Sequence, residues 1–197
     1  MSASETGLRE QILKTAMQLF IQQGYRGLAM RQISEALNIS KAALYYYFQN
    51  KEELFLAILN SYLEEIEAVI DALETQTESS TEQIRRFVKM VLEQPAEQRA
   101  IIRLASQEMT QLSAASREQF GRMYHEKFIG KLKALLQRGM QRGELYALNA
   151  ETATWALLGI MYPYFYPVHS GSRPIAPETI EELIHIYLHG LSKPPGA

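Results

Sequence analysis

Residues 30–54 read MRQISEALNISKAALYYYFQNKEEL, and the fold class follows from the pattern of these residues. Its apolar residues recur at steps of three and four, which is the spacing of one side of a helix. The pattern predicts a short helix over about 30–37 and another over about 41–47. Between them, Asn38 tolerates the left-handed backbone of a tight turn, and Ser40 can cap the second helix with its hydroxyl. The stretch therefore has the layout of a helix-turn-helix.

The same periodicity continues on both sides of this motif, and no run alternates apolar and polar residues as a half-buried strand does. Gly24 is expected to end the preceding helix as a C-terminal cap. Asn50 and Glu53 have capping-box spacing and open a long helix. We predict an all-α fold of about nine helices, over about 7–23, 30–37, 41–47, 51–74, 81–93, 96–112, 116–142, 150–166 and 177–191.

Composition limits the classes of protein to which the chain can belong. With 197 residues, it has room for a small N-terminal module and one larger body. It contains no cysteine, which excludes disulfides, thiolate metal sites and cysteine nucleophiles. Residues 1–7 are polar, and no window approaches the roughly 20 apolar residues of a membrane span. We therefore expect a soluble cytoplasmic protein without a membrane partner.

Charge is unevenly distributed along the chain. The net charge is −2, but residues 1–51 carry six Lys or Arg against three Glu, which gives this segment +3 and leaves −5 for the rest. A basic N-terminal segment followed by an acidic remainder is suited to binding an anionic partner through the N-terminal segment only. An excess this small also arises by random scatter, so the charge pattern alone leaves both interpretations open.

From Ile12 to Leu54, the chain resembles the DNA-binding domain of the TetR family of transcriptional regulators. Residues 139–149 also resemble the segment that leads into this family's penultimate helix, whereas residues 75–138 match only in the number and length of helices. The matching positions in the first stretch are Ala16, Phe20, Gly24, Tyr25, Ile33, residues 39–41, residues 44–48 and residues 51–54. The resemblance implies a helix-turn-helix DNA-binding domain over 1–50 and a ligand-binding and dimerisation domain over 51–197.

The resemblance also implies that the second short helix enters the major groove of double-stranded operator DNA. Arg31 can fork onto guanine, Lys41 can reach a base edge or a phosphate, and the alanines of this helix can pack on thymine methyl groups. Tyr45, Tyr46 and Lys51 are expected to hold phosphates, as their family counterparts do. The predicted DNA-binding residues are Arg31, Ser40, Lys41, Ala42, Ala43, Tyr45, Tyr46 and Lys51.

Other interpretations exist for some of these side chains. The aromatic residues at 45–48 cannot all face DNA, because successive residues on a helix point in different directions. We expect Leu44 and Phe48 to be core residues, whereas the direction of Tyr47 stays open. The two lysines could instead be solvated surface charges.

The motif departs from the family pattern at three places. Asn38 stands where the turn usually has glycine, and Ala29 with Met30 stands where threonine or serine often caps the second helix. Ala42 and Ala43 stand where glycine and threonine are frequent, so the middle of the recognition helix offers only methyl groups. We therefore expect base reading to depend on few polar side chains.

Nothing in the sequence indicates an enzyme or a metal site. It has no glycine-rich phosphate loop, no nucleophile elbow and no recognisable pair of carboxylates. Of the four histidines, only His185 and His189 have the spacing of two ligands on one helix face. The residues between them include no glutamate, so we interpret the pair as surface or dimer-interface histidines, and we predict no cofactor.

The larger domain is expected to sense a small apolar molecule. Its apolar stripes indicate a core first, but the resemblance implies a hollow between helices four and eight, where methionine and aromatic side chains suit an apolar guest. Glu108 could pair with a cationic ligand, although an edge glutamate in water is the simpler interpretation. The predicted ligand-binding residues are Met90, Glu108, Met109, Tyr124, Phe128 and Trp155.

The last two helices are predicted to form a two-fold homodimer. Their apolar faces are broader than a solvated helix needs, although the last helix could simply cover the core of its own subunit. The aromatic run at 161–167 is expected to be packing or dimer surface. The predicted interface residues are Ala156, Ile160, Ile184, Tyr187, Leu188 and Leu191.

The functional hypothesis is a repressor that a small apolar effector releases from a palindromic operator. A ligand-independent DNA-organising or division-linked protein of the same fold is the alternative, and a helical carrier or enzyme with an accidental resemblance is a third. Footprinting separates them, since a discrete palindrome indicates the regulator, many dispersed sites indicate the organiser, and no binding indicates the carrier.

Overall fold

The computed structural model describes residues 3–74, 78–166 and 174–190, and all regular structure in these ranges is helical. The all-α prediction is therefore confirmed. Within the described ranges, no helix is long and apolar enough to cross a membrane. The α-helices are α1 Ala3–Gly27, α2 Met30–Ala36, α3 Lys41–Tyr47, α4 Lys51–Glu74, α5 Ser80–Leu92, α6 Ala96–Glu108, α7 Ala114–Tyr124, α8 Gly130–Gln141, α9 Ala150–Met161 and α10 Pro177–His189.

The predicted turn chemistry of the helix-turn-helix is confirmed. Asn38 has a φ of 51°, in the left-handed region that its short polar side chain tolerates. The Ser40 side chain accepts a hydrogen bond from the Ala43 backbone N–H at 3.0 Å and caps α3. Asn50 Oδ1 accepts from the Glu53 backbone N–H at 2.8 Å at the start of α4. These local contacts explain why the short helices begin and end where the sequence predicts.

Gly24 interrupts α1 close to its end. Its φ of 72° and ψ of 171° are not helical, so the residues up to Gly27 form a separate short turn. The predicted end of the first helix at this glycine is confirmed, because only a residue without a Cβ enters this backbone region at little cost.

The predicted helix over 116–142 is two helices, α7 and α8, joined by a π turn over His125–Ile129. Gly130 follows the turn, and a Cβ atom there would lie 3.1 Å from the His125 carbonyl oxygen. A π turn inserts one extra residue into the helix, and an apolar stripe does not reveal such an insertion.

Three other predicted helices end earlier than expected. The sixth ends at Glu108 and the eighth at Met161, and each passes into a 3₁₀ turn. Pro163 lies in the second of these turns, where its missing N–H prevents the α-helix from continuing. The last helix ends at His189 because Gly190, with a φ of 73°, provides its C-terminal cap.

Backbone contacts group the chain into two compact units, each with its own apolar core. The first unit comprises Met1–Glu64 and Ala100–Tyr124, and the second comprises Glu65–Arg99 and His125–Ala197. The first core includes Ile12, Ala16, Phe20, Ile33, Leu44, Phe48, Leu54, Phe55, Ile101, Leu104 and Leu112. The division into functional domains over 1–50 and 51–197 stays a prediction, because a grouping of contacts does not show which part functions by itself.

The second unit is built from α5, α8, α9 and α10, which pack on one another. Its buried apolar side chains include Ile84, Phe87, Val88, Leu132, Leu135, Leu136, Leu157, Ile180 and Ile184. Arg99 is buried as well, and its guanidinium donates to the Leu92 carbonyl oxygen at 3.0 Å and to the Gln94 carbonyl oxygen at 2.6 Å. These bonds satisfy carbonyl groups at the C-terminal end of α5.

Candidate DNA interface and sensing body

The recognition helix α3 has one buried side and one open side. Leu44 and Phe48 are buried in the core of the first unit, as predicted. Tyr45 and Tyr46 are exposed, and Tyr46 keeps 75% of its surface accessible. Tyr47, left open by the sequence, is half-buried, and its ring meets that of Tyr46 edge to face with centroids 5.2 Å apart. The buried side fixes the helix, and the open side is available to a partner.

The other residues of α2 and α3 that are predicted to contact DNA differ in exposure and in their partners. Lys41 and Ala42 are exposed, whereas Ala43 is half-buried. Arg31 pairs with Glu35 through an Nε–Oε1 distance of 3.2 Å on the exposed face of α2. An exposed ion pair of this kind contributes little free energy, so the guanidinium can exchange it for a base edge or a phosphate.

Lys51 has a structural role that the sequence did not reveal. Its Nζ donates to the Tyr25 carbonyl oxygen at 2.6 Å and to the Leu28 carbonyl oxygen at 2.9 Å. The same atom lies 4.5 Å from the centre of the Tyr25 ring. Burial lowers the pKa of Lys51, while the negative charge of Glu108 acts in the opposite direction. Lys51 thus ties the start of α4 to the end of α1 and to Leu28, which follows it. Its phosphate contact stays a prediction, with one ammonium donor left.

Glu108 reaches the same segment from the end of α6. Its Oε1 accepts from the Tyr25 backbone N–H at 3.2 Å, and Arg26 Nε donates to Gln111 Oε1 at 2.6 Å nearby. The side chain is half-buried and hydrogen-bonded, which differs from the edge glutamate in water that the sequence favoured. Its pairing with a cationic ligand stays a prediction, since this carboxylate already has a backbone partner.

The six predicted ligand-binding residues are divided equally between the two units. Glu108, Met109 and Tyr124 belong to the first unit, and Met90, Phe128 and Trp155 belong to the second. Met90 is 41% exposed and Trp155 is 50% exposed, and their roles in ligand binding stay predictions. Tyr124 lies 6.1 Å from Phe120, and Phe128 lies 6.3 Å from Phe87, between ring centroids.

A groove between α4 and α7 in the first unit is a different candidate for a guest. Its volume is about 220 Å³, and it is lined by Glu53, Leu56, Ala57, Asn60, Gln119 and Phe120. The Asn60 Oδ1 atom is buried and has no hydrogen-bond partner among the described residues. The lining therefore combines apolar side chains with the polar side chains of Glu53, Asn60 and Gln119, an arrangement that periodicity alone does not predict.

The predicted dimer surface is only partly available in the single chain. Ile184 is 1% exposed and packs into the core of its own unit, which corrects its assignment to the interface. The Tyr187 hydroxyl donates to the Ala153 carbonyl oxygen at 3.0 Å, joining α10 to α9, and burial raises its pKa to about 12. Ala156 is exposed.

The exposure of the other three predicted interface residues does not show whether they contact a partner. Ile160 and Leu188 are half-buried, and Leu191 lies outside the described residues. Exposed apolar side chains on these helices include Trp155, which the sequence assigned to the ligand pocket, and Ile186, which the sequence did not single out. Tyr162 is exposed as well and belongs to the aromatic run that was expected to be packing or dimer surface.

Two family models match the chain. The model of bacterial regulatory proteins of the tetR family matches residues 12–58, and the model of tetracyclin repressor-like C-terminal domains matches residues 77–163. The first match contains the whole helix-turn-helix, and the second contains most of the remaining helices.

Several known regulators are similar to this chain over nearly its whole length. The HTH-type transcriptional regulator YhgD of Bacillus subtilis is 24% identical over 182 residues, which cover 92% of this chain and 95% of YhgD. The TetR family transcriptional regulator PfmR of Thermus thermophilus is 25% identical, with a TM-score of 0.77 over 92% of this chain and 99% of PfmR. AibR, solved with isovaleryl coenzyme A and operator DNA, is 23% identical and shares the fold, with a TM-score of 0.72 over 91% of this chain and 97% of AibR. The chain therefore belongs to the TetR family of bacterial regulatory proteins, which are DNA-binding transcriptional regulators and not enzymes.

Proposed function

We propose that this regulator is a repressor that binds a palindromic operator as a homodimer and leaves it when a small apolar effector binds. One observation carries the DNA part of the proposal. The open side of α3 presents Lys41, Ala42, Tyr45 and Tyr46, while Leu44 and Phe48 hold the helix in the core. The open side thus brings two exposed tyrosines and a lysine together, which supports a role for these side chains in binding.

A single α3 helix makes too few base contacts for a specific site. Two copies related by a two-fold axis double the contacts and read two half-sites, spaced by about one turn of DNA or roughly 34 Å. A palindromic operator then reflects the symmetry of the protein. The exposed apolar side chains of α9 and α10 support an interface at these helices.

The proposed effector has an apolar body and a polar group that can be hydrogen-bonded. AibR supports this class, because that protein was solved with an acyl coenzyme A together with operator DNA. The groove beside Asn60 supports it as well, because its buried Oδ1 lacks a donor.

Release from DNA requires an effector that prefers one of two conformations. We propose that binding near α4 to α7 moves α4 and changes the separation of the two α3 helices in the dimer. The contacts of Lys51 and Glu108 with Tyr25 support this route, because they join α4 and α6 to the end of α1.

The test recovers the operator first and then screens for release. Genomic fragments that the purified chain retains are sequenced, and compounds with acyl chains of increasing length are added to the recovered complex. The proposal expects a discrete palindrome and at least one compound that lowers affinity about tenfold or more, a typical allosteric coupling. Asn60→Leu should keep operator affinity but weaken this release. Numerous scattered sites without a releasing compound would overturn the repressor proposal in favour of the ligand-independent DNA organiser.

A further inference from the structure

Two histidine rings lie side by side on the outer face of α10. His185 and His189 are four residues apart on this helix, and both are exposed. Their ring centroids are 5.0 Å apart, with the ring planes inclined at 48°. The spacing indicates surface or interface histidines, and the ring geometry adds a property that the spacing alone does not show.

The distance between the rings suits chelation of one metal ion. A zinc ion bound to an imidazole nitrogen at roughly 2.0–2.1 Å lies about 3.2 Å from the centre of that ring. Two rings on the same ion, at angles between square and tetrahedral, then have centres roughly 4.5–5.2 Å apart. The observed 5.0 Å falls within this interval, so the separation of the rings is compatible with a shared ion.

Two imidazoles alone make an incomplete site. Among the described residues, no group of three His, Asp or Glu side chains could hold a metal ion, so one chain offers a bidentate chelate. Ile186 lies between the two histidines and keeps 38% of its surface exposed, which places an unsatisfied apolar side chain on the same helix face. The proposed homodimer has its interface at α9 and α10, and a two-fold axis that passes beside the histidine pair brings a second pair towards the first.

We propose that His185 and His189 chelate a first-row divalent transition metal ion, such as Zn²⁺ or Ni²⁺, and that the same residues of a second copy complete a four-imidazole site. Neutral imidazole is a favourable ligand for both ions, and four ligands satisfy the tetrahedral preference of zinc. Metal binding stabilises the dimer by mass action, because the complete site exists only when two chains associate. The inference rests on the homodimer of the proposed function.

The test titrates the full chain, without an affinity tag, with ZnCl₂ or NiCl₂ in a calorimeter and in an ultracentrifuge. The proposal expects one ion per two chains and a dimer dissociation constant that falls about tenfold or more. His185→Ala and His189→Ala should each abolish both effects, while His125→Ala, a matched change of an exposed histidine elsewhere in the second unit, should preserve them. Circular dichroism verifies that each variant remains folded.

The following results would contradict the proposal. Absence of binding at micromolar metal, or binding that survives both substitutions on α10, would overturn the site. One ion per chain without any change in dimerisation would overturn the shared site. Operator binding measured in EDTA separates the two proposals, because a metal-free dimer that binds its operator leaves the proposed function intact even when the metal site fails.

Discussion

Lys41 and Lys51 both carry a positive charge near the recognition helix, yet the structure gives them different surroundings. Lys41 is exposed on the open side of α3. Lys51 donates to the carbonyl oxygens of Tyr25, near the end of α1, and of Leu28, just after it. The two side chains should therefore respond differently when their charge is removed.

At the recognition helix, Lys41→Ala and Tyr46→Phe should weaken operator binding while leaving stability nearly unchanged. Each changes an exposed side chain, and such changes usually move the free energy of unfolding by no more than about 0.5 kcal/mol. Gel-shift titration and thermal melting measure the two effects. Arg142→Ala removes one exposed charge from the second unit and serves as the control, with affinity expected to stay within about twofold. A large drop in melting temperature for either α3 variant would mean that these residues are structural.

Lys51→Met should lower the free energy of unfolding by about 1–3 kcal/mol. Methionine keeps the length of the side chain but leaves the Tyr25 and Leu28 carbonyl oxygens without their charged donor. Urea titration followed by circular dichroism measures the loss, with Lys41→Ala as a matched control. Unchanged stability together with a strong loss of DNA binding would assign Lys51 to phosphate contact alone.

At the scale of helices, local signals predicted most ends, because each depends on a few neighbouring residues. Each of these signals involves only backbone groups within four residues of the side chain or glycine that provides it, as at Gly24, Asn38, Ser40 and Asn50. The contacts of Tyr25 with Lys51 and Glu108 span 26 and 83 residues, and no local pattern indicates them.

The candidate site was harder to predict on α9, where Trp155 was assigned to a pocket. Thr154 is fully buried, with its hydroxyl donating to the Ala150 carbonyl oxygen at 2.7 Å. A threonine whose hydroxyl is satisfied by its own helix can be buried, and no local pattern distinguishes it from a surface threonine.

The kink at Gly24 provides a prediction at this scale. Gly24→Ala should destabilise the protein by at least about 1 kcal/mol, because alanine is strained at a left-handed φ. Its Cβ would also lie 3.0 Å from Glu108 Oε1. Gly121→Ala is the control, since that glycine lies inside α7 with nothing within 4 Å of the added Cβ, and it should stabilise by up to about 1 kcal/mol. Thermal melting distinguishes the opposite signs, and equal effects would contradict the assigned role of the kink.

At the scale of the whole molecule, the regulator should sediment as a dimer. Leu188→Glu should produce monomers, because a carboxylate cannot be buried in an apolar interface without a partner. Leu188 is half-buried in its own chain, so Ile186→Glu offers a second variant at a more exposed position. Analytical ultracentrifugation measures the result, with Met90→Glu as an exposed apolar control on α5. A monomeric wild type, or charge variants that stay fully dimeric and operator-bound, would require an interface elsewhere.

Binding of the purified chain to its selected palindromic duplex, measured between about 50 and 200 mM salt, tests the central claim most directly. If each α3 helix and its surrounding basic residues neutralise several phosphates, affinity should fall by orders of magnitude over this range, because counterions are released on binding. A duplex with both half-sites scrambled should bind weakly at every salt concentration. Failure to bind any duplex, or an affinity that does not change with salt, would contradict the assignment of the open side of α3 to DNA.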